Sequence, residues 1–411
     1  MTTKLRFIHC ADLHIDSPFK GLEHLPDSLV KEVKQSTFQA LDQLVKTAID
    51  KQVEFILMVG DVFDQSIQSV YAQMKFLDAC RRLNDHQIKV YISFGNHDYI
   101  QRGWMNLDFP TNVHLFTDEN VTTFIYHKDD QPLATIYGFS YRNQAVFENK
   151  TSQFVKQTST PYHIGMLHGS VEQNTDHDTY APFKLNELVD KGFDYWALGH
   201  IHQRRECRQS PPIVYSGNIQ GRSKKETGEK GCYYVELDRK EAAMTFIPLQ
   251  AIRFERVTLN VRSVTALSAV EQLLHETVKQ LSFYGKTFVW IALEQYTNEV
   301  KHFYYEEMLV DLVDFINEAM MKTTNWVWIQ QVELIGQGQL DKADYRQGEH
   351  FLAQLLQLSP GIDELDAALA PLWKHPEARK LLDQLTDEEK MELNEEAENI
   401  LLYQLTRKHS E

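Results

Sequence analysis

Residues 88–98 read IKVYISFGNHD, seven mostly apolar residues followed by Gly95, Asn96, His97 and Asp98. An apolar run of this length, rich in β-branched and aromatic side chains and closed by glycine, reads as a buried strand. Asn and His are poor strand formers, and burying an Asn-His-Asp sequence leaves three polar side chains to satisfy. The quartet raises the question of what chemistry needs an amide, an imidazole and a carboxylate at the end of a strand.

Upstream, LRFIHC (5–10) and FILMVG (55–60) are two more buried-strand runs. Between them, Val30, Val33, Leu41, Leu44, Val45, Ala48 and Ile49 recur at helical spacing, as do Val70, Met74, Leu77 and Leu83 before the third run. Strand, helix, strand, helix, strand predicts parallel strands with crossover helices. Downstream, LATIYGF (133–139), YHIGMLH (162–168), DYWALGH (194–200) and IVYSGN (213–218) continue the pattern. GCYYVELD and AAMTFIPL then read as an antiparallel pair.

From about residue 252 a smaller β-α-β-α-β pattern begins, with helical spacing at 264–281 and 303–321 and strands at TFVWIALE and WVWIQQVEL. GQGQ (336–339) reads as a linker, and only helical patterns follow. The expected division is 1–250, 251–336 and 337–411. The Trp-rich WVWIQ (326–330) reads as a packed strand rather than a base-stacking platform, which would need exposed rings.

An apolar fraction of 43% and a charged fraction of 24% over 411 residues are those of a soluble globular protein. No apolar run approaches the roughly 20 residues that span a bilayer. The start, MTTKLRFIHCADLH, lacks a signal-peptide core, because Asp12 and His14 interrupt it. Four scattered cysteines form no CxxC pair and suggest a reducing, cytoplasmic setting. A net charge of −16 counts against a passive nucleic-acid binder. It leaves room for an enzyme that meets phosphate through metal ions. Half of that charge lies in residues 341–411, with 16 Asp/Glu against 8 Lys/Arg. Acidic helices repel DNA, so a partner-docking surface suits that segment better.

Five strand ends carry the polar residues: Asp12 and His14; Asp61 and Asp64; Asn96, His97 and Asp98; His168; His200 and His202. In an open parallel sheet the carboxyl ends of the strands face one crevice, so these side chains are expected to converge. Oxygen and imidazole donors with no thiolate fit Mn²⁺, Fe²⁺ or Zn²⁺ rather than a Ca²⁺ cage. Asp12, His14, Asp61, Asn96, His168, His200 and His202 exceed the needs of one cation and suit two that share a carboxylate. Two such cations about 3.5–4 Å apart activate a bridging water and clamp the oxygens of an in-line displacement at phosphorus.

The ordered set D-x-H, GDxxD, GNHD, H and GHxH resembles the signature of calcineurin-like metallophosphoesterases over roughly residues 4–250. ADLHIDSPF (11–19), DYWALGHIHQR (194–204) and YSGNIQGRSKKETGEKG (215–231) are similar to the bacterial DNA-repair exonuclease branch of SbcD/YhaO type. The resemblance implies an α/β fold: a metallophosphoesterase β-sandwich flanked by helices, a small α+β capping domain and a helical C-terminal region. It implies that Asp12, His14, Asp61 and His202 hold one metal and Asp61, Asn96, His168 and His200 the other, with Mn²⁺ the first choice. His97 would face the scissile phosphate as acid or charge stabiliser, with Asp98 orienting its ring. Archaeal and eukaryotic nucleases of this type carry a second active-site His where this chain has Asp64, which would instead support a ligand from behind.

Arg204, Arg205, Arg208, Arg222, Lys224 and Lys225 read either as a phosphate-gripping rim or as solvated loops, with Arg222 and Arg204 the candidate substrate contacts. His177, within DHD at 176–178, reads as part of a turn. The resemblance further implies an SbcC-like, SMC-like coiled-coil ATPase partner and leaves pairing into a homodimer open. The expected activity is that of a metal-dependent DNA exonuclease in repair, hydrolysing phosphodiesters with a hydroxide activated by two metals. The alternatives are a phosphoesterase for a small-molecule ester or cyclic nucleotide, and a scaffold that kept the fold and lost its metals.

Overall fold

A strand covered on both faces is mostly apolar, and LRFIHC supplies Leu5, Phe7, Ile8 and Cys10. In the computed structural model it forms β1 (Leu5–Cys10). The structure describes residues 4–19, 25–64, 69–102, 107–172, 180–239, 241–336, 351, 354–355, 362–375 and 385–407. They fall into two compact units, Met1–Phe19 with Pro26–Arg253, and Lys20–Leu25 with Phe254–Glu411.

In the first unit, β1 pairs in parallel with β2 (Phe55–Val59), and β2 with β3 (Lys89–Ser93). Crossover helices α1 (Asp27–Asp50) and α2 (Val70–Asp85) make these connections. Ser69 caps α2 by accepting from Ala72 N. The short β4 (Val113–Leu115) pairs beside β3. β5 (Thr122–Lys128), β6 (Gln131–Gly138), β7 (Tyr162–His168), β8 (Tyr195–Gly199), β9 (Arg205–Gln209) and β10 (Pro212–Tyr215) build a second sheet, in the order β5-β6-β7-β8-β10-β9. The short helix α3 (Leu185–Asp190) precedes β8. β11 (Gly231–Leu237) and β12 (Ala242–Pro248) then return to the first sheet as the expected antiparallel pair, giving β12-β11-β1-β2-β3-β4.

The two sheets pack face to face. Phe7, Phe55 and Tyr91 of one meet Ile136, Ile164 and Tyr195 of the other in a single buried cluster. Phe7 stands edge-on to Tyr195 at 5.2 Å between ring centres. Ile8, Cys10, Ile56 and Met58 point the opposite way, toward Leu41, Leu44, Phe76 and Leu83 of the helices. Deleting a core ring such as Phe7 costs about 3–5 kcal/mol.

This sandwich corrects one detail of the parallel-sheet expectation. The strands that deliver the polar ends are divided between two sheets, β1–β3 in one and β7–β8 in the other. Hydrophobic periodicity records that a strand is buried, not which sheet receives it. It also passes over β5 and β9, half-exposed or exposed strands that pair with β6 and β10.

The second unit has a three-stranded sheet of β13 (Arg253–Asn260), β14 (Thr287–Glu294) and β15 (Val327–Ile335), with helix α4 (Leu267–Ser282). The single helix expected at 303–321 is two, α5 (Asn298–Tyr305) and α6 (Met308–Met320). They break at Glu307, whose φ of 62° cannot continue a right-handed helix. Val270, Leu274, Ile291, Leu293, Leu309 and Ile316 form its core. Trp326 is buried against Phe288, with Val327 and Ile329 buried beside it and Trp328 half-buried. Helices α7 (Ile362–Lys374) and α8 (Asp387–Arg407) follow. DHD at 176–178 and residues 337–339 of GQGQ lie outside the described residues.

Candidate metal centre

The loops that leave the strands of the first unit stay hydrogen-bonded to one another beyond the sheet. Asp12 N donates to Gly60 O at 3.1 Å, His14 N to Asp61 O at 3.0 Å and Gly60 N to Ser93 O at 3.1 Å. Asp12, His14 and Asp61 take φ values of 50°, 42° and 50°, and His200 takes 97°. Non-glycine residues held in this left-handed region cost on the order of 1–3 kcal/mol each, and such strain collects at functional sites. A Cβ on Gly95 would collide with Asp61 Oδ1 and lie 2.6 Å from His168 Nε2, so the close approach of the GNHD loop requires glycine.

The side chains then converge from both sheets. His200 N, at the end of β8, donates to both carboxylate oxygens of Asp12, at the end of β1, at 3.1 Å each. His168 Nδ1, at the end of β7, lies 3.0 Å from Val59 O at the end of β2. Asn96 Oδ1 accepts from the rings of His168 (Nε2, 3.1 Å) and His200 (Nδ1, 3.2 Å). Asp61 lies 3.4 Å from His168 Nε2 and accepts from His97 N at 2.9 Å. His14 and His202 face each other through their Nε2 atoms at 3.0 Å. Three groups each bring donor atoms within 4.8 Å of one another: Asp12, His14 and His202; Asp12, Asp61 and His168; His14, Asp64 and His97. All seven expected ligands thus belong to one connected set.

This set fits divalent cations. Three carboxylates, of Asp12, Asp61 and Asp98, are fully buried in one small volume, where uncompensated negative charge is costly. Burial pushes the Asp12 carboxyl up to about 6 against the pull of His202 and His168. Burial and the Asp61 charge push Asp98 up to about 7. Asp61 is held well below the usual range despite burial, because His168 and His97 face it. His168 rises to about 9: burial opposes its charge, but Asp61 and Asp12 more than offset that. A protonated imidazole thus supplies positive charge where bound cations would supply more. His14 is held far below its ordinary value by burial and by Arg222 and His202, so it is a neutral, metal-ready ring. Its Nδ1, like that of His97, is buried with no hydrogen-bond partner among the described residues.

One expectation meets a different geometry. Asp98 does not hold the ring of His97: its oxygens accept from Val62 N and Gly95 N at 2.7 Å each. Asp98 therefore fixes the two loops that carry Asp61 and Asn96, and His97 faces His14 and Asp64 instead. Asp64 accepts from Ser17 Oγ at 3.0 Å and from Arg222 Nη1 at 2.6 Å, and lies 3.6 Å from His14 Nδ1. The guanidinium of Arg204 lies over the ring of Phe246, 3.9 Å from its centre. Arg205 and Arg208 stand on edge strand β9.

Sequence reading passed over Glu226. Its Oε1 lies 2.6 Å from His202 Nδ1, and its Oε2 accepts from Asn218 Nδ2 and Arg222 N. Burial raises the Glu226 carboxyl, but His202, Arg222 and Lys230 hold it well below the usual carboxylate range. Within KKETGEKG it looks like one more surface charge, and only the folded loop brings it to His202.

Residues 5–204 match the calcineurin-like phosphoesterase family. The chain is 34% identical over 413 residues to the uncharacterized metallophosphoesterase YhaO of Bacillus subtilis, covering 98% of this chain and 99% of that one. It is 26% identical over 290 residues to the DNA double-strand break repair protein Mre11 of Thermoplasma acidophilum, covering 67% of this chain and 71% of the relative. With the protein of the same description from Sulfolobus acidocaldarius it shares 24% over 291 residues, covering 67% and 72%.

Proposed function

The chain belongs to the calcineurin-like phosphoesterase family, and from that premise we propose that it is a metal-dependent DNA exonuclease working in repair. The observation that carries this reading is the meeting of seven oxygen and imidazole donors from five strand ends of two sheets. Asp12, His14, Asp61 and His202 would hold one cation, and Asp61, Asn96, His168 and His200 the other, with Asp61 common to both. Bound there, the pair supplies Lewis acidity toward a phosphate ester and acidifies a water toward neutral pH. Mn²⁺ suits a set with no thiolate, and Fe²⁺ or Zn²⁺ are the alternatives.

The chain's own groups do the rest. His97 is half-buried and anchored through its backbone N to Asp61. Its ring would donate to the leaving sugar oxygen and stabilise the charge that develops there. Asp98, by bridging Val62 N and Gly95 N, keeps the two loops at a fixed separation. DNA rather than a small ester is favoured by the likeness to the Mre11 repair proteins over two thirds of the chain and by the structure beyond residue 204. We take residues 251–336 as the capping domain of this family branch and 337–411 as the region that docks an SMC-like coiled-coil ATPase. Helix α8 supports this by exposing Met391, Leu393, Ile400 and Leu401 among acidic residues. No described helix is long and apolar enough to cross a membrane, and all four cysteines are free, which suits work in the cytoplasm.

Incubation with Mn²⁺ and end-labelled linear DNA, beside a chromogenic phosphate monoester and diester, tests the reading. Release of short labelled products, abolished in Asp61→Ala, is expected. Turnover of the small esters with intact DNA would favour a small-molecule enzyme, and no turnover at all would leave a scaffold.

A further inference from the structure

Behind His14 and His202 lies a layer of charge that includes Arg222, one of the two expected substrate contacts. The Nε2 atoms of the two rings face each other; the outer nitrogen of His202 is hydrogen-bonded to a carboxylate, and that of His14, which has no hydrogen-bond partner among the described residues, has a carboxylate nearby. His202 Nδ1 lies 2.6 Å from Glu226 Oε1, and His14 Nδ1 lies 3.6 Å from Asp64 Oδ2. One guanidinium spans the two carboxylates: Arg222 Nη1 donates to Asp64 Oδ2 at 2.6 Å, and Nη2 lies 3.6 Å from Glu226 Oε1. Asp64 Oδ2 also accepts from Ser17 Oγ at 3.0 Å, and the other oxygen of Glu226, Oε2, accepts from Asn218 Nδ2 at 2.8 Å and Arg222 N at 2.7 Å.

Donor chemistry fixes the proton positions. A carboxylate only accepts, so the short contact to Glu226 places a proton on His202 Nδ1. Arg222 only donates, so the 3.4 Å approach of its Nη2 to that same nitrogen is proximity and not a hydrogen bond. With Nδ1 protonated, the lone pair of His202 lies on Nε2, the atom turned toward His14. Arg222 has both terminal nitrogens occupied by carboxylates and a side chain only 18% exposed. Lys224 and Lys225, in the same loop, are exposed.

We propose that Glu226 and Arg222 are positioning residues of the metal centre. Glu226 sets the tautomer and ring plane of His202, and Arg222 links Glu226 to Asp64 so that His14 and His202 are held as one rigid pair. The loop over 216–231, which offers no ligand itself, thereby controls how tightly one of the two cations binds. Arg222 on this account is a crosspiece inside the site and not a grip on the substrate phosphate. The inference rests on the reading that His14 and His202 hold a cation.

The test is a titration of Mn²⁺ into the metal-free full chain, followed by the EPR signal of free Mn²⁺, for wild type, Glu226→Gln and Arg222→Lys. Glutamine keeps the size and an acceptor oxygen but loses the charge; lysine keeps the charge but cannot span two carboxylates. Wild type is expected to take up two Mn²⁺. Glu226→Gln is expected to bind one of them about 10–100-fold more weakly, with the other unchanged, and Arg222→Lys to show a smaller loss at the same site. At saturating Mn²⁺ the KM for DNA stays at the wild-type value in both. Should Glu226→Gln fail to fold by circular dichroism, Glu226→Asp replaces it and is expected to bind closer to wild type than Arg222→Lys does. Unchanged isotherms in the variants, or a raised KM in Arg222→Lys with an unchanged isotherm, would overturn the proposal. A wild-type chain that takes up no Mn²⁺ would overturn the metal site on which it rests.

Discussion

His168 Nδ1 lies 3.0 Å from the carbonyl oxygen of Val59, which ties the last residue of β7 in one sheet to the last residue of β2 in the other. A carbonyl only accepts, so Nδ1 carries a proton, and Nε2 is turned toward Asp61 and Asn96. One imidazole therefore joins the two sheets and faces the buried carboxylates.

Metal binding is expected to stabilise the fold through this joint. A cation held by side chains from both sheets binds only the folded chain, so it adds RT ln(1 + [L]/Kd), about 2.7 kcal/mol at 100 times Kd. Differential scanning calorimetry of the EDTA-stripped chain with and without Mn²⁺ checks this. His168→Ala is expected to unfold earlier without metal, by about 1–3 kcal/mol for the orphaned carbonyl, and to gain less from Mn²⁺ than wild type. An equal gain in both proteins would show that His168 is not a ligand.

His97 and Asp61 separate chemistry from metal binding. His97 touches Asp61 through its backbone N, which survives any side-chain change. His97→Ala is expected to keep both cations by metal analysis while turnover falls about 10²–10⁴-fold. Asp61→Ala is expected to lose metal and activity together. Equal metal content and full activity in both would remove the assignment.

Gly95→Ala tests whether the loops must come this close. The added Cβ would meet Asp61 Oδ1 and His168 Nε2 at once, two atoms that cannot retreat because both lie in the buried set. A cost of about 1–3 kcal/mol in stability and weaker Mn²⁺ uptake are expected. Wild-type thermal unfolding and metal content in this variant would mean that the loop relaxes freely.

Much of this centre is written in the sequence because its strands are covered on both faces. Continuous apolar runs end abruptly in Asp, His and Asn, and the break marks both the strand end and the donor. The ligand types are legible for the same reason, since one-letter identity states what an atom can coordinate. What is not legible is pairing between distant residues. Asp12 and His200 are 188 residues apart, and nothing local announces that one caps the other. Asp98, adjacent to His97 in sequence, invites a ring contact, yet its short side chain reaches Val62 N and Gly95 N instead. Glu226 hides in a run of charges, and Arg222 looks like a free cation until Asp64 and Glu226 are seen on either side.

His9 supplies a second tie between the sheets and a pH dependence of its own. The ring is fully buried on β1, with Nδ1 3.0 Å from Tyr195 Oη and Nε2 3.1 Å from Leu198 O, both on β8. Leu198 O only accepts, so Nε2 carries the proton and Nδ1 accepts from the tyrosine hydroxyl. The ring is thus neutral with both nitrogens used. Burial lowers its pKa from 6.5 to about 3, against a smaller upward pull from the Leu198 carbonyl. The unfolded chain binds a proton here below about pH 6.5, whereas the folded chain refuses it until about pH 3, so stability falls as pH falls through that window. The slope from this one residue is about 1.4 kcal/mol per pH unit. Glutamine at this position offers one acceptor and one donor group but no titration, so His9→Gln should lack the slope while sharing every other acid-sensitive group. Urea unfolding of the two metal-free proteins, taken from neutral pH down to about pH 5, is expected to show wild type losing about 2 kcal/mol more than His9→Gln. Parallel curves would mean that the buried imidazole gains its proton without opening the sandwich.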